Sequence, residues 1–84
     1  MSRILIIEDS ADINSLLSET LRSAGFETES AFDGLNGQKA ALSGRFDLII
    51  TDIMLPYVCG DEILRKLREK SNLPVIVMSA TDVV

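Results

Sequence analysis

Short runs of consecutive aliphatic residues, separated by longer stretches with helical spacing, constrain the fold of this chain more than any other feature. The clearest runs are Ile4–Ile7, Leu48–Ile50 and Val75–Met78. A continuous aliphatic run of this length is typical of a strand that is buried on both faces of a sheet. Because such runs alternate with amphipathic stretches, we expect a βαβαβαβ order, a mostly parallel sheet, helices on both of its faces and right-handed crossovers.

The first helix is predicted from its apolar spacing and from residues that begin and end it. Its apolar residues recur three or four positions apart: Ile13, Leu16, Leu17 and Leu21. We expect it to run through Ser23, with Ser10 or Asp12 as the N-cap, because a short polar side chain accepts hydrogen bonds from free amides in the first turn. Gly25 stands where a left-handed residue commonly ends a helix.

The remaining elements follow from the same signals. Phe26–Ala31 alternates weakly and carries two Glu, which is typical of an exposed edge strand. Leu35–Leu42 predicts a short second helix that is closed by Gly44. A third helix, identified by Ile63, Leu64 and Leu67, follows a loop between Pro56 and Gly60, and Pro74 opens the last strand.

Composition excludes several classes of protein. The chain has 84 residues, enough for one domain, and a formal net charge of −5, which disfavours binding to nucleic acid because that affinity depends on Lys and Arg. Cys59 is the single cysteine and there is no histidine, so an internal disulfide and a Cys/His zinc site are excluded. No apolar run is long enough for a membrane span or a secretory signal. We expect a cytoplasmic protein that does not bind a membrane.

Polar residues follow the predicted buried strands at the point where each strand ends. Glu8 and Asp9 follow the first strand, Asp52 follows the second, and Ser79 and Ala80 follow the last. Ligands of open α/β sheets bind beyond these carboxyl ends, so we expect the side chains to share one crevice. Clustered carboxylates repel one another unless a cation neutralises them, and Mg²⁺ suits such oxygen ligands. An acidic Mg²⁺ crevice fits phosphoryl transfer, with a carboxylate as a possible nucleophile.

Each of these residues also has an ordinary structural explanation. Glu8 and Asp9 could be solvated acids near a helix start, favoured by the helix dipole. Asp52 could be a turn residue at the end of a strand, and Ser79 could cap a following helix. Met54, Leu55 and Pro56 could simply pack in a loop. The recurrence of acids at the same ends of consecutive strands favours a functional site over these separate explanations.

Three segments, in the right order and spacing, resemble the receiver domains of two-component response regulators. They are Ile4–Asp9 (ILIIED), Asp47–Pro56 (DLIITDIMLP) with Gly60 four residues later, and Pro74–Ala80 (PVIVMSA). The Asp52 segment carries the most specific part of the resemblance. Its Met-Leu-Pro form is most similar to regulators with a winged-helix output domain, which implies a part in transcription regulation.

The resemblance implies a fold and a role for each matching residue. The fold would be a flavodoxin-like, doubly wound parallel sheet. Asp52 would accept the phosphoryl group from a histidine kinase, and Ser79, with the small Ala80 beside it, would sense that group. The implied Mg²⁺ ligands are Glu8, Asp9, Asp52 and the backbone carbonyl of Met54. Pro56 and Gly60 would shape the rim of the site.

The chain also departs from the family pattern, which has five βα units in strand order 2-1-3-4-5. We expect residues 1–84 to be one receiver domain truncated after the fourth strand, with strand order 2-1-3-4 and without the fourth helix, fifth strand and fifth helix. The lysine at the end of the family's fifth strand has no substitute, since Lys39, Lys66 and Lys70 fall on helices. We therefore expect impaired phosphotransfer. Val75–Met78 would become an apolar edge, which favours self-association through that edge or the uncovered sheet face.

Two other functions compete with the phosphoacceptor. One is an aspartyl-phosphate hydrolase similar to the haloacid dehalogenases. Those enzymes carry a second Asp two residues after the nucleophile, where this chain has Met54. The other is a structural or self-associating fragment that keeps the fold without phosphotransfer. We favour a phosphoacceptor that is not itself an enzyme.

Overall fold

A parallel sheet of four strands organises the part of the protein that the computed structural model describes, residues 2–52 and 60–78. The elements are β1 (Arg3–Ile7), α1 (Ala11–Ser23), β2 (Glu27–Ala31), α2 (Gly34–Ala41), β3 (Leu48–Asp52), α3 (Gly60–Arg68) and β4 (Val75–Met78). The strands pair in the order β2-β1-β3-β4, and every pair is parallel. The predicted element order and strand order are confirmed.

The aliphatic strands β1 and β3 are buried on both faces of the sheet. Leu5, Ile7 and Ile49 pack in one cluster with side chains from α2 and α3. On the opposite face Ile4, Ile6 and Ile50 form a second cluster, against which Leu17 and Leu21 of α1 pack. Because successive side chains of a strand point to opposite faces, an unbroken aliphatic run supplies both clusters. Helices therefore cover the sheet from two sides, and loops leave its carboxyl end.

The ends of α1 lie where the sequence indicated, with Ser10 as the N-cap. The Ser10 hydroxyl accepts a hydrogen bond from the amide of Ile13 at 3.4 Å. After the helix, Gly25 has a φ of +99°, a conformation that glycine adopts without the steric cost of a side chain. These two residues fix where the chain enters and leaves α1.

The inner face of α1 is more polar than its apolar spacing suggested. Asn14 and Ser18 are buried, whereas Ile13 and Leu16 are 45% and 64% exposed. The inward positions fall at residues 14, 17, 18 and 21, which is also a regular helical spacing. Hydrophobic periodicity located the helix, and Leu17 and Leu21 do pack inward, but Ile13 and Leu16 lie beside the inner face and not on it.

The approach of α2 to β1 depends on Gly37. A Cβ atom at this position would lie 2.6 Å from Cγ2 and 2.9 Å from Cδ1 of Ile7, and Ile7 is fully buried. Ordinary contacts between carbon atoms need about 3.5 Å or more. The absence of a side chain at Gly37 thus lets the helix pack close to the central strand.

The two outer strands of the described sheet have different surfaces. On β2, Glu29 is exposed and forms an ion pair with Arg45 at 3.2 Å. On β4, Ile76 and Val77 are 50% and 38% exposed. Charge protects an edge from pairing with another chain, whereas exposed aliphatic residues do not. Among the described helices, none has the length and apolarity needed to cross a membrane.

Candidate functional site

Three carboxylates meet beyond the carboxyl ends of β1 and β3. Glu8 and Asp9 directly follow β1, and Asp52 is the last residue of β3. One carboxylate oxygen from each of the three residues lies within 4.8 Å of the others. Since β1 and β3 are parallel neighbours, the residues at and just after their carboxyl ends lie at the same end of the sheet. The predicted convergence of these acids is present in the structure.

Burial differs within this group of three acids. Glu8 and Asp52 are 4% and 8% exposed, whereas Asp9 is exposed to solvent. Beside them, Thr51 is fully buried, and its hydroxyl donates to the carbonyl of Asp52 at 3.0 Å. Glu8 and Asp52 are thus surrounded by protein, whereas Asp9 lies at the solvent-exposed side of the cluster.

Backbone and side-chain hydrogen bonds hold Glu8 in place. Its amide donates to the carbonyl of Ala31 at 3.0 Å, which extends the pairing of β1 with β2 by one residue. Its carboxylate accepts from the amide of Ser10 at 2.8 Å. Hydrogen bonds of a backbone amide to a carboxylate are charge-assisted and therefore comparatively strong. The side chain of Glu8 is thereby directed toward the turn that begins α1.

The surroundings of Glu8 raise the pKa of its carboxyl group above its ordinary value of 4.5. Burial is the largest cause, because it disfavours the charged form. The hydrogen bond from Ser10 acts in the opposite direction, and the neighbouring Asp9 and Asp52 raise the pKa further. Without a cation, the cluster therefore holds a proton at Glu8 to a higher pH than a solvated glutamate would.

We expect Glu8→Gln to stabilise the metal-free protein at neutral pH. A carboxyl group whose pKa is raised by folding binds its proton more tightly in the folded state, so its contribution to stability is lost as pH rises from 4.5 through the raised pKa. Glutamine has no such ionisation, and its side-chain oxygen can still accept from Ser10. Urea unfolding in EDTA between pH 4.5 and 8 should therefore show a difference in free energy, variant minus parent, that grows with pH.

Glu19→Gln is the matched control for this prediction, because Glu19 is an exposed residue of α1. Its unfolding free energy should follow that of the parent across the pH range. A Glu8→Gln variant that is less stable than the parent at pH 7 would contradict the burial argument.

The donor set fits a hard divalent cation such as Mg²⁺. Two oxygens bound to one Mg²⁺ lie at most about 4.2 Å apart, twice the usual Mg–O distance of about 2.1 Å. The observed spread of up to 4.8 Å is close to that limit, so small side-chain rotations or an intervening water would satisfy the geometry. Burial is the main reason for the raised pKa of Glu8, and a cation there would offset the further contribution from the neighbouring acids.

Several residues of the predicted site fall outside the described part of the chain. These are Met54, Pro56, Ser79 and Ala80. Gly60 is described as the first residue of α3, and its proposed part in shaping the rim stays a prediction. The carboxylate cluster is the part of the predicted site that the structure brings together.

One residue beside the site was missed from the sequence. Asn14 is 1% exposed, and its side-chain amide donates to the carbonyl of Glu8 at 3.1 Å. The available signal was the spacing of residues 14, 17, 18 and 21, which places a polar side chain on the inner face of α1. A search for apolar residues alone does not find it.

Comparison with known proteins assigns the family. The sequence model of the response regulator receiver domain matches residues 4–84. The chain belongs to the receiver domain family of two-component response regulators. Its parallel sheet, its strand order and its helices on both faces are those of the CheY-like, flavodoxin-like receiver fold.

Individual relatives agree with this assignment. The response regulator ArlR of Staphylococcus aureus is 39% identical over 80 residues, which are 95% of this chain and 36% of ArlR. The receiver domain of the Francisella response regulator 1452 superimposes with a TM-score of 0.90 at 31% identity, covering 98% of this chain and 69% of that domain. TrrA of Thermotoga maritima, solved with Mg²⁺ and BeF, gives a TM-score of 0.87 at 32% identity, with 99% and 77% covered. The chain thus spans about a third of the length of the curated relatives it matches.

Proposed function

We propose that this protein is a phosphoacceptor module, in which Asp52 takes a phosphoryl group in a Mg²⁺-dependent reaction. The observation that carries the proposal is the meeting of Glu8, Asp9 and Asp52 within 4.8 Å at the carboxyl end of the sheet. In the reaction, a carboxylate oxygen of Asp52 forms a bond to phosphorus as the bond from phosphorus to the donor's leaving group breaks. The product is an acyl phosphate on Asp52.

The roles proposed for the other residues are those that the family resemblance implies. Glu8 and Asp9, with Asp52 and the carbonyl of Met54, would hold the ion, which when bound neutralises charge on the phosphoryl oxygens. Glu8 would do so as a buried ligand, because this residue is 4% exposed. In the switch that follows, Ser79 would donate its hydroxyl to the phosphoryl group and Ala80 would leave room for it. Pro56 and Gly60 would shape the rim.

The proposed phosphodonor is a histidine kinase. A second structure of TrrA, matched at 36% sequence identity, contains it in complex with the histidine kinase ThkA. The compartment we propose is the cytoplasm, consistent with a single cysteine, Cys59, and a chain that needs no disulfide. We further propose that residues 1–84 form one receiver unit that does not bind nucleic acid itself. The longer response regulator to which this unit would belong regulates transcription through a winged-helix output domain.

Incubation with acetyl phosphate tests this function without knowledge of the kinase. Intact mass should show one added phosphoryl group in the presence of Mg²⁺ and none in EDTA. Without a cation, the negative charge of the three acids repels the incoming phosphate. The adduct should be labile in hydroxylamine, as expected for an acyl phosphate. Absence of labelling, together with absence of Mg²⁺ binding, would refute the proposal.

A second candidate function, self-association without phosphotransfer, is favoured by the surface of β4. Ile76 and Val77 are exposed on the outer strand of the described sheet. An aliphatic edge of this kind is a template for pairing with the same strand of a second copy. The sheet face beside that strand would be buried in the same association.

We expect the sedimentation coefficient of the protein to rise with concentration and Ile76→Lys to abolish that rise, because a buried lysine opposes edge pairing. Leu35→Lys is the matched control, since Leu35 is 48% exposed and Ile76 is 50% exposed. Leu35 lies on α2, away from the β4 edge, so its replacement should leave association unchanged. A compact monomer across micromolar concentrations would exclude this function.

A further inference from the structure

The buried amide of Asn14 lies where the pairing of β1 with β2 ends. Ile7 and Ala31 are the last paired residues of these two strands. The side-chain nitrogen of Asn14 donates to the carbonyl of Glu8 at 3.1 Å and to the carbonyl of Ala31 at 3.3 Å. One helical side chain thus joins the ends of two neighbouring strands at the residue where the acidic cluster begins.

The orientation of this amide is fixed by a third contact. The hydroxyl of Ser30 donates to the side-chain oxygen of Asn14. An asparagine amide has two donor hydrogens, and here each points to a different carbonyl while the oxygen accepts from Ser30. Because Asn14 is 1% exposed, water does not compete for these bonds. The amide has a single arrangement in which every group is satisfied.

Glu8 is consequently held at its amide, its carbonyl and its carboxylate. These three groups contact Ala31, Asn14 and Ser10, respectively. The peptide that joins Glu8 to Asp9 contains the carbonyl that Asn14 binds. Its orientation decides where the side chain of Asp9 leaves the backbone, and Asp9 is the exposed member of the cluster.

We propose that Asn14 is a positioning residue for the metal site, which sets the peptide between Glu8 and Asp9 so that the carboxylates converge before the ion binds. This inference rests on the proposed function. Carboxylates that repel one another separate unless the backbone holds them, and a site that is formed in advance binds its ion more tightly. Groups that orient metal ligands commonly change metal affinity by about 10- to 100-fold when removed.

The simpler alternative is that Asn14 only attaches α1 to the sheet. Ser18, one turn later on the same face, does this without touching the acidic turn. It is 4% exposed, and its hydroxyl bonds to that of Thr28 on β2 at 2.9 Å. Arg22 also donates to Ser18, at 2.7 Å. Ser18 therefore provides a matched control for a buried polar contact between α1 and β2.

The test compares Asn14→Ala with Ser18→Ala in calorimetric titrations with Mg²⁺ alone. We expect both variants to unfold at lower urea concentration than the parent, because both lose buried hydrogen bonds. The Mg²⁺ dissociation constant should rise about 10-fold in Asn14→Ala and stay at the parent value in Ser18→Ala. Without metal, the backbone amide NMR signal of Asp9 should shift in Asn14→Ala and remain in place in Ser18→Ala.

Equal Mg²⁺ affinity in folded Asn14→Ala and in the parent would overturn the inference and leave the proposed function intact. Failure of the parent itself to bind Mg²⁺ would overturn the proposed function, and this inference with it. Should Asn14→Ala not fold, Ser30→Ala decides, because it removes only the hydroxyl that orients the amide. Weaker Mg²⁺ binding by Ser30→Ala supports the positioning role, and unchanged binding refutes it.

Discussion

Replacing Asp52 with Asn should abolish phosphorylation by acetyl phosphate at every Mg²⁺ concentration. Asparagine has nearly the same shape as aspartate, so the 8% exposed position at the end of β3 should accept it without repacking. It lacks the anionic oxygen that forms the bond to phosphorus. It also removes one of the three negative charges of the cluster, so Mg²⁺ should bind more weakly. Intact-mass measurement of the phosphorylated fraction checks the expected complete loss.

Asp47→Asn is the matched control, with the same substitution just before the other end of the same strand. Asp47 is exposed, and its carboxylate accepts from the amide of Arg3 at 2.8 Å. An asparagine oxygen can accept the same bond, so this variant should be phosphorylated like the parent. Persistent labelling of Asp52→Asn would exclude Asp52 as the acceptor.

Gly37→Ala should lower the free energy of unfolding, although alanine is the better helix former. The substitution places a Cβ atom 2.6 Å from Cγ2 of Ile7, whose branched side chain is rigid and fully buried. Overpacking of this kind costs about 1–3 kcal/mol, and the gain in helix propensity offsets about 1 kcal/mol of it. Urea unfolding should therefore show a net loss of up to about 2 kcal/mol, a large part of the stability of a small domain.

A double-mutant cycle separates overpacking from other causes. Ile7→Ala removes all three atoms that the new Cβ would meet. In that background Gly37→Ala should become neutral or stabilising, because only the helix-propensity gain remains. A stabilising osmolyte in all samples keeps the weaker variants folded for the comparison. An equal loss of stability in both backgrounds would refute the close approach of α2 to β1.

The sequence predicted the sheet well because its two central strands, β1 and β3, are buried on both faces. Such strands contain unbroken aliphatic runs, and Val75–Met78 was predicted with the boundaries that the structure has. The second helix begins at Gly34, one residue before the predicted Leu35, and β3 includes Asp52 as its last residue. Element ends depend on local hydrogen bonding, which apolar patterns do not report.

The candidate site was predictable where it depends on topology and not where it depends on buried polar contacts. Parallel strands place their carboxyl ends together, so the convergence of Glu8, Asp9 and Asp52 follows from the strand order. The hydrogen bonds from the side chain of Asn14 to the carbonyls of Glu8 and Ala31 could not be found from topology, because a polar residue inside a helix usually faces solvent. Ser10 was expected only to cap α1 through its side-chain hydroxyl. The hydrogen bond from its backbone amide to the carboxylate of Glu8 depends on the observed shape of the turn.

The register of β1 has a consequence for how the chain folds during its synthesis. Ile4 pairs with Thr28 on one side and with Leu48 on the other, 24 and 44 positions later. The aliphatic strand β1 is therefore translated before both of the strands that it pairs with, and it remains without its second neighbour until Leu48 and the rest of β3 have been made. Nascent chains of this architecture expose an aggregation-prone aliphatic segment for seconds at ordinary translation rates. A ribosome-associated chaperone that binds aliphatic peptides is expected to protect residues 3–7 in this interval.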